Sequence, residues 1–411
     1  MIPALRLIRE DGVSDRYGLA GDEVLAARAG EGRSPATLRL YTYRSHAALV
    51  GRFQTVEHEL HLDYCRSQGI AVNRRPTGGG AIIMGEQQLG VALCIPGQRD
   101  ATYGNARSLM SRFSAGLVSA LQHYGIGAAF TRKNDLEVGG RKIAGLGIHR
   151  TKSGGILFHA SLLVDLDVPL MLRVLNTPFE KISDKEIRNV SDRITTLNRE
   201  HGSAVEMDAV REVLADGFRS AWGAEIESGD FSAGELTAID ALIHDRYATT
   251  EWLFRQSKVT DADGFARVKS AGGLLGARVA TAGKQLKAVY LEGDFFSSSG
   301  AIAALEGSLR WHSTAGPEIR STLEAVYARY AADLASVPIE ALQEVILRAI
   351  AAAAEDADAS DPYGCFVEPG REEVAVAAAV GSHPKSNIQY PQSSGGRQEE
   401  VAVAVAVGRK G

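Results

Sequence analysis

Cysteine is scarce. The 411-residue chain has three, Cys65, Cys94 and Cys365, an odd number at wide spacing with no CxxC pair. That excludes a disulfide-stapled secreted scaffold and the common zinc-binding spacings, and it fits a reducing compartment. No run of about twenty apolar residues occurs, so no segment reads as a membrane span. The N-terminal apolar stretch is broken at once by Arg6, Arg9, Glu10 and Asp11, so we expect no signal peptide and a cytoplasmic location. An excess of positive charge is absent too: 45 Lys and Arg stand against 50 Asp and Glu, a net charge of -5. Nucleic acid and anionic membrane are therefore not expected partners. What is present is an ordinary globular composition, 45% hydrophobic and 23% charged, in a length that suits two domains.

Alternation predicts strands at Thr37–Tyr43, Ala48–Arg52, Leu136–Val138, Lys142–Ala144 and Gly155–Val164. Ala81–Met84 and Leu89–Ile95 read as a hairpin entered through glycines, and Asn105–Tyr124 as one long amphipathic helix. Helical patterns follow at Ala204–Trp222 and Ala233–Tyr247. A second strand cluster spans Phe265 to Leu291, followed by helices at Ser299–Glu306, Pro317–Tyr330 and Pro338–Ala353. Clustered strands with helices between them point to an α+β fold with a mixed, largely antiparallel sheet. We expect a catalytic domain over 1–230, a small α+β domain over 231–354 and a low-complexity tail over 355–411. The tail carries a near-repeat, Glu372-Glu-Val-Ala-Val-Ala and Glu399-Glu-Val-Ala-Val-Ala, whose side chains are too small to offset the entropy of ordering it.

Two stretches carry chemistry. In Arg74-Arg-Pro-Thr-Gly-Gly-Gly-Ala-Ile-Ile-Met84 two cations precede three glycines. One glycine is explained by a turn that needs positive φ; three beside two arginines point to backbone N–H groups turned toward an anion. In Asn134-Asp-Leu-Glu-Val-Gly-Gly-Arg-Lys-Ile-Ala-Gly145 a Gly-Gly turn brings Asn134 and Asp135 toward Arg141 and Lys142. Gly145 and Gly147 thin the strand that follows, as they would if something packs on it.

These motifs, with Gly154-Gly-Ile-Leu-Phe-His-Ala-Ser161 and Val190-Ser-Asp-Arg-Ile-Thr-Thr-Leu197 after them, resemble lipoate-protein ligase in order and spacing, over about residues 5–225. The second domain is similar to the accessory C-terminal domain of those ligases, through Tyr247-Ala-Thr-Thr-Glu-Trp-Leu253 and Gly293-Asp-Phe-Phe296. The resemblance implies a class II synthetase-like biotin/lipoate ligase catalytic domain. It implies that lipoate and ATP form lipoyl-adenylate, whose acyl group passes to a lysine of a lipoyl carrier domain, with Mg2+ beside the nucleotide. Lys142 matches the family's essential lysine. Arg75, Gly78, Gly79, Gly80, Ala81, Asn134, Asp135, Ala144, Gly145, His159, Ser161 and Arg193 fall at substrate or nucleotide positions. Arg75 would meet a carboxylate or phosphate oxygen, and the glycines would line the acyl chain and phosphates. Asp135 is either a magnesium or nucleotide contact or a salt-bridge partner of Arg141. His159 is either a site residue or a satisfied core histidine, and Arg193 either reaches the adenylate or faces solvent.

The chain departs from the family where a His-Asp pair and an asparagine usually follow the glycines; it has Met84-Gly85-Glu86-Gln87-Gln88, with Gln88 nearest to the asparagine. Two other readings stay open. An octanoyltransferase of the same fold works through a cysteine thioester without ATP, yet residues 95 to 364 contain no cysteine. A catalytically silent protein that holds a lipoyl domain is the third. A monomer is expected, with a repositioning of the second domain about a linker at residues 226–232.

Overall fold

The computed structural model describes residues 4–97, 106–132, 134–176, 192–255 and 262–359. Val190, Ser191 and the expected tail from residue 360 onward, with its Val/Ala repeats, lie outside the described residues. The strands in chain order are β1 (Ala4–Val13), β2 (Thr37–Tyr43), β3 (Ala47–Val50), β4 (Ala71–Arg74), β5 (Ile82–Met84), β6 (Gln88–Ile95), β7 (Ala129–Arg132) and β8 (Asp135–Val138). They continue with β9 (Arg141–Arg150), β10 (Ile156–Leu163), β11 (Glu225–Ser228), β12 (Gly264–Ser270), β13 (Gly273–Ala282), β14 (Gln285–Gly293) and β15 (His312–Ser313).

Three sheets result: an eight-stranded one ordered β11-β1-β2-β6-β10-β9-β8-β7, a four-stranded one ordered β12-β13-β14-β15, and a small one ordered β4-β3-β5. In the large sheet β1 runs parallel to β2 and β11, and every other pairing is antiparallel. The fold is thus α+β with a mixed, largely antiparallel sheet. One face of that sheet buries Leu38, Leu93, Phe158 and Ile148 against the helices Ala106–Phe113, Ala115–His123 and Met207–Trp222. The other face meets the helix Asp15–Gly30, whose Leu19 and Leu25 pack on Tyr41, Ala92 and Leu157. Among the described residues no helix is long and apolar enough to cross a membrane.

Several local expectations need correcting. β5 and β6 do not form a hairpin: β6, buried along its whole length, sits between β2 and β10, so β5 pairs with β3 instead. The helix predicted from Asn105 is interrupted at Ser114, whose hydroxyl donates to the Ser111 carbonyl at 3.1 Å, a local competition that bends helices. The helix from Ala233 ends at Leu242 and opens into a wider π turn, Ile243–Tyr247. That turn carries Arg246 and Tyr247 onto Glu23, each at 2.6 Å.

Residues 226–232 are not a free linker. Glu225–Ser228 is strand β11 on the edge of the large sheet. Glu235 in the next helix accepts from Arg6 at 2.7 and 3.0 Å and from Ser34 at 2.5 Å. The boundary expected near residue 230 therefore falls between two elements that both pack on the first region, and the second sheet begins at Gly264. Its core, with Leu275, Val279, Leu291, Leu305, Leu323 and Val345, is closed on one face by the helices Ser299–Ser308, Gly316–Tyr330 and Ile339–Ala359. Phe53 of the first region stacks on Phe295 of the second, with centroids 4.8 Å apart. The Gly293 N–H donates to the Phe53 carbonyl at 2.9 Å.

Candidate active site

The β8–β9 hairpin turns through Gly139 and Gly140, both at positive φ (56° and 79°), the conformation a tight two-residue turn requires and glycine supplies at least cost. Past the turn the register slips: Glu137 faces Lys142 but Leu136 faces Ala144, leaving Ile143 as a bulge. Ile143 and Ala144 therefore both enter the hydrophobic core. Lys142 is thrown onto the same side as Gly145, which simple alternation would have denied it. The Lys142 ammonium lies 2.7 Å from the Asp135 carboxylate. Its backbone is held from the other side, donating to the Arg193 carbonyl and accepting from the Thr195 N–H, both at 2.8 Å. Arg141 pairs instead with Glu200 at 2.8 Å, so the salt bridge considered between Asp135 and Arg141 goes to Lys142.

The two arginines before the glycine turn have different work. Arg74 is fully buried and donates to the carbonyls of Gly51, Gln54 and Leu253, at 2.6 to 2.8 Å, which makes it a structural tie. Arg75 donates to the carbonyls of Leu49 and Gly80, at 2.5 and 2.7 Å, and so braces the turn. Its buried Nε has no hydrogen-bond partner among the described residues. Burial pulls the Arg75 pKa down to about 10. Gly79 takes φ 95°, and a β-carbon on Gly78 would collide with the Phe295 carbonyl oxygen.

A cavity of about 340 Å³ lies between the large sheet and the small one, within the range of small-ligand sites. Its floor is a row of directly paired residues crossing five strands: Tyr41, Gly90, Ser161, Gly145 and Asp135. One end is polar, with Asp135, Lys142 and Asn134. The rest is mostly apolar, with Leu19, Tyr41, Tyr43, Leu49, Ile82 and Met84. His159 shares a 3.0 Å hydrogen bond with Thr77. Burial, with Arg75 and His149 nearby, holds its pKa down to about 3, so the imidazole is neutral near pH 7. It is both a cavity residue and a satisfied one.

Of the residues expected at the site, Arg75, Gly80, Ala81, Asn134, Asp135, Lys142, Gly145, His159 and Ser161 meet at this cavity. Gly78 lies instead against Phe295 and Phe296, and Gly79 stands between Phe296 and the cavity residues Asn134 and Arg75. Ala144 is in the core because of the bulge. The Arg193 side chain is exposed, and only its carbonyl takes part. Gln88 does not replace the asparagine, since its amide donates to the Asp165 carbonyl at 2.7 Å. Sequence reasoning missed Tyr41, Tyr43, Gly90 and Asp294. Tyr41 and Tyr43 were legible as one face of an alternating strand, and Gly90 as a glycine inside an apolar one. Asp294 arrives from the second region, and no local signal carries that.

Among the described residues no group of three His, Cys, Asp or Glu could hold a metal. Asp135 and Asp294 are the carboxylates at the cavity, a donor set suited to a magnesium ion that arrives with phosphates. Cys65 and Cys94 are buried away from the cavity. Burial raises both thiol pKa values, that of Cys94 well above the ordinary range, which leaves both as poor nucleophiles.

The lipoyl protein ligase A/B catalytic domain model matches residues 15–219. Octanoyltransferase LipM of Symbiobacterium thermophilum is 30% identical over 260 residues, 58% of this chain and 93% of that protein. LipM of Brevibacillus brevis is 27% identical over 274 residues, 61% and 99% of the two chains. A bi-partite lipoate protein ligase from Thermoplasma acidophilum, described with its E2 lipoyl domain, superposes with TM-score 0.54 and 26% identity, over 62% of this chain and 97% of that one. P. falciparum LipL1, in complex with lipoate, shares the fold at TM-score 0.64 and 15% identity, over 84% and 99%.

Proposed function

The chain belongs to the lipoyl protein ligase A/B catalytic domain family, an enzyme family of lipoate ligases and transferases, and on that premise we propose that it joins lipoate or octanoate to a lipoyl carrier domain through an acyl-adenylate. The observation that carries this reading is the Lys142 ammonium at the polar end of a cavity whose remainder is mostly apolar, with no cysteine lining it among the described residues.

In this reading the acyl chain lies in the apolar part of the cavity with its carboxylate at Lys142. A carboxylate oxygen attacks the α-phosphorus of ATP and pyrophosphate leaves. The ε-amine of a carrier lysine then attacks the acyl carbon, and AMP leaves with the electron pair of the broken C–O bond. Both steps concentrate negative charge on oxygen, so a positioned cation and aimed N–H donors are the main requirement. Lys142 supplies the cation, and Asp135 with the pinned backbone fixes its direction. Arg75 braces the glycine turn through the Leu49 and Gly80 carbonyls. Asp135 would also meet a magnesium ion carried by the triphosphate, whose contribution is to neutralise phosphate charge.

A second reading is favoured by the curated relatives, which are octanoyltransferases: the chain takes an octanoyl group from an activated thioester without ATP. A covalent route of that kind needs a reactive thiolate, and neither Cys65 nor Cys94 is placed to be one. Intact-mass measurement of a lipoyl domain separates the two. Acylation that requires ATP plus free octanoate or lipoate supports ligation. Acylation from octanoyl-acyl carrier protein alone supports transfer and overturns the ligase reading.

A further inference from the structure

The apolar part of the cavity has a built end. Gly145 and Gly90 lie two strands apart in the floor row, with Ser161 between them, a span of about 10 Å at the usual strand spacing. Both glycines are sites where something leans over the strand. A β-carbon on Gly145 would lie 3.1 Å from the Lys142 ammonium nitrogen, and one on Gly90 would lie 2.7 Å from the Tyr41 ring. A chain whose carboxylate sits at Lys142 therefore runs across the strands, over Ser161, and meets the Tyr41 ring.

Tyr41 is held unusually firmly for a residue in contact with a ligand space. It is 4% exposed, and its hydroxyl donates to the buried Asp22 carboxylate at 2.8 Å. Asp22 accepts from Arg39 at 2.9 Å, and Arg39 also donates to Glu10 and to the Gly18 carbonyl, at 2.7 and 2.8 Å. The Arg39 guanidinium lies 4.3 Å from the centre of the Tyr41 ring. Gly21 makes room for that guanidinium, because a β-carbon there would come within 2.6 Å of it. Swinging the ring aside would take the donor from one oxygen of a buried carboxylate, which is costly.

We propose that Tyr41 is the end stop that sets the maximum length of the acyl chain, with the Asp22–Arg39–Glu10 network as its anchor. The inference rests on the reading that this cavity holds an acyl chain. It predicts an asymmetric ruler. A chain that is too short loses only apolar contact, about tenfold or somewhat more per methylene. A chain that is too long must displace an anchored ring.

The test is calorimetric binding of hexanoate, octanoate, decanoate and dodecanoate to the full chain, with a nonhydrolysable ATP analogue present. The wild type is expected to bind more tightly with length up to a limit and then at least about tenfold more weakly at the next acid. A steady rise through dodecanoate overturns the end stop. In Tyr41→Leu the limit is expected to move to longer acids; an unmoved limit in a variant with native melting behaviour overturns the role of Tyr41. If Tyr41→Leu does not fold, Tyr41→Phe carries the test. It keeps the ring and removes the hydroxyl that ties it to Asp22, so acids beyond the limit must lose less affinity than in the wild type, and an unchanged loss contradicts the proposal. A wild type that binds none of the four overturns the acyl-cavity reading itself, and the end stop with it.

Discussion

Glycine sits inside strands of both large sheets, but to opposite ends. In the eight-stranded sheet Gly90 and Gly145 make room in a cavity floor for Tyr41 and Lys142, two side chains that line the cavity. In the four-stranded sheet the space beside Gly276 is filled from within, because a β-carbon there would lie 2.8 Å from Glu292 Cγ. The Glu292 carboxylate accepts from Arg267 at 2.7 Å, Arg278 at 3.1 Å and Thr55 at 2.5 Å. A strand glycine therefore says only that something comes close. Whether that is a ligand or the protein's own side chain is decided by the neighbouring strands. The first sheet spends its glycines on a site, the second on a polar tie between regions.

The comparison can be broken in order of expected effect. Lys142→Ala should lower acyl-adenylate formation about a hundred- to a thousand-fold, as loss of a charge-stabilising group does, while the melting temperature stays near wild type; steady-state pyrophosphate release and a thermal melt check both halves. Glu292→Ala should do the reverse. It removes the carboxylate shared by two arginines and Thr55, at a cost of about 2 kcal/mol. That is less than the roughly 3 to 5 of a fully buried pair, because Arg267 and Arg278 still reach water. Urea titration reads the loss.

The glycines sharpen the contrast directly. Gly145→Ala displaces the Lys142 ammonium, and about a tenfold loss of rate with little loss of stability is expected. Gly276→Ala crowds Glu292 and should cost about 1 kcal/mol of stability with kcat unchanged. Equal effects of the two substitutions on rate would end the distinction.

The remaining expected effect is electrostatic and depends on pH. Glu306, in the helix Ser299–Ser308, accepts from the Leu291 N–H at 2.9 Å, and burial raises its carboxyl pKa to about 7. The fold thus favours the neutral form, and the penalty for ionising it grows as pH rises from about 4.5 to about 7 and is constant above. Glu306→Gln keeps the acceptor and removes the penalty. Its melting temperature should exceed that of the wild type at pH 8 and equal it at pH 4.

Much of this was legible in the sequence, and the misses share a cause. The β8–β9 hairpin, its Gly-Gly turn and the approach of Asn134 and Asp135 to Arg141 and Lys142 are local, and spacing alone located them. The partner of Asp135 was not, because a bulge at Ile143 decides which way Lys142 faces, and alternation predicts no bulge. The same bulge sends Ala144 to the core. Tyr41 and Gly90 lie 49 residues apart in sequence and opposite each other in the sheet, a pairing that periodicity cannot see. Asp294 and Phe295 reach the first region from still farther along the chain. Arg75 and not Arg74 was expected at the site on resemblance, and the carbonyls around the two give the physical distinction between a structural tie and a brace at the cavity.

The central claim is that this cavity activates a carboxylate through Lys142 and not through a thiol. Exchange of radiolabelled pyrophosphate into ATP, dependent on octanoate or lipoate, tests it most directly. The account predicts exchange in the wild type and in a Cys65→Ser, Cys94→Ala, Cys365→Ser triple variant, and its loss in Lys142→Ala. Absence of exchange in the wild type, together with octanoyl transfer that disappears in the cysteine-free variant, would contradict it.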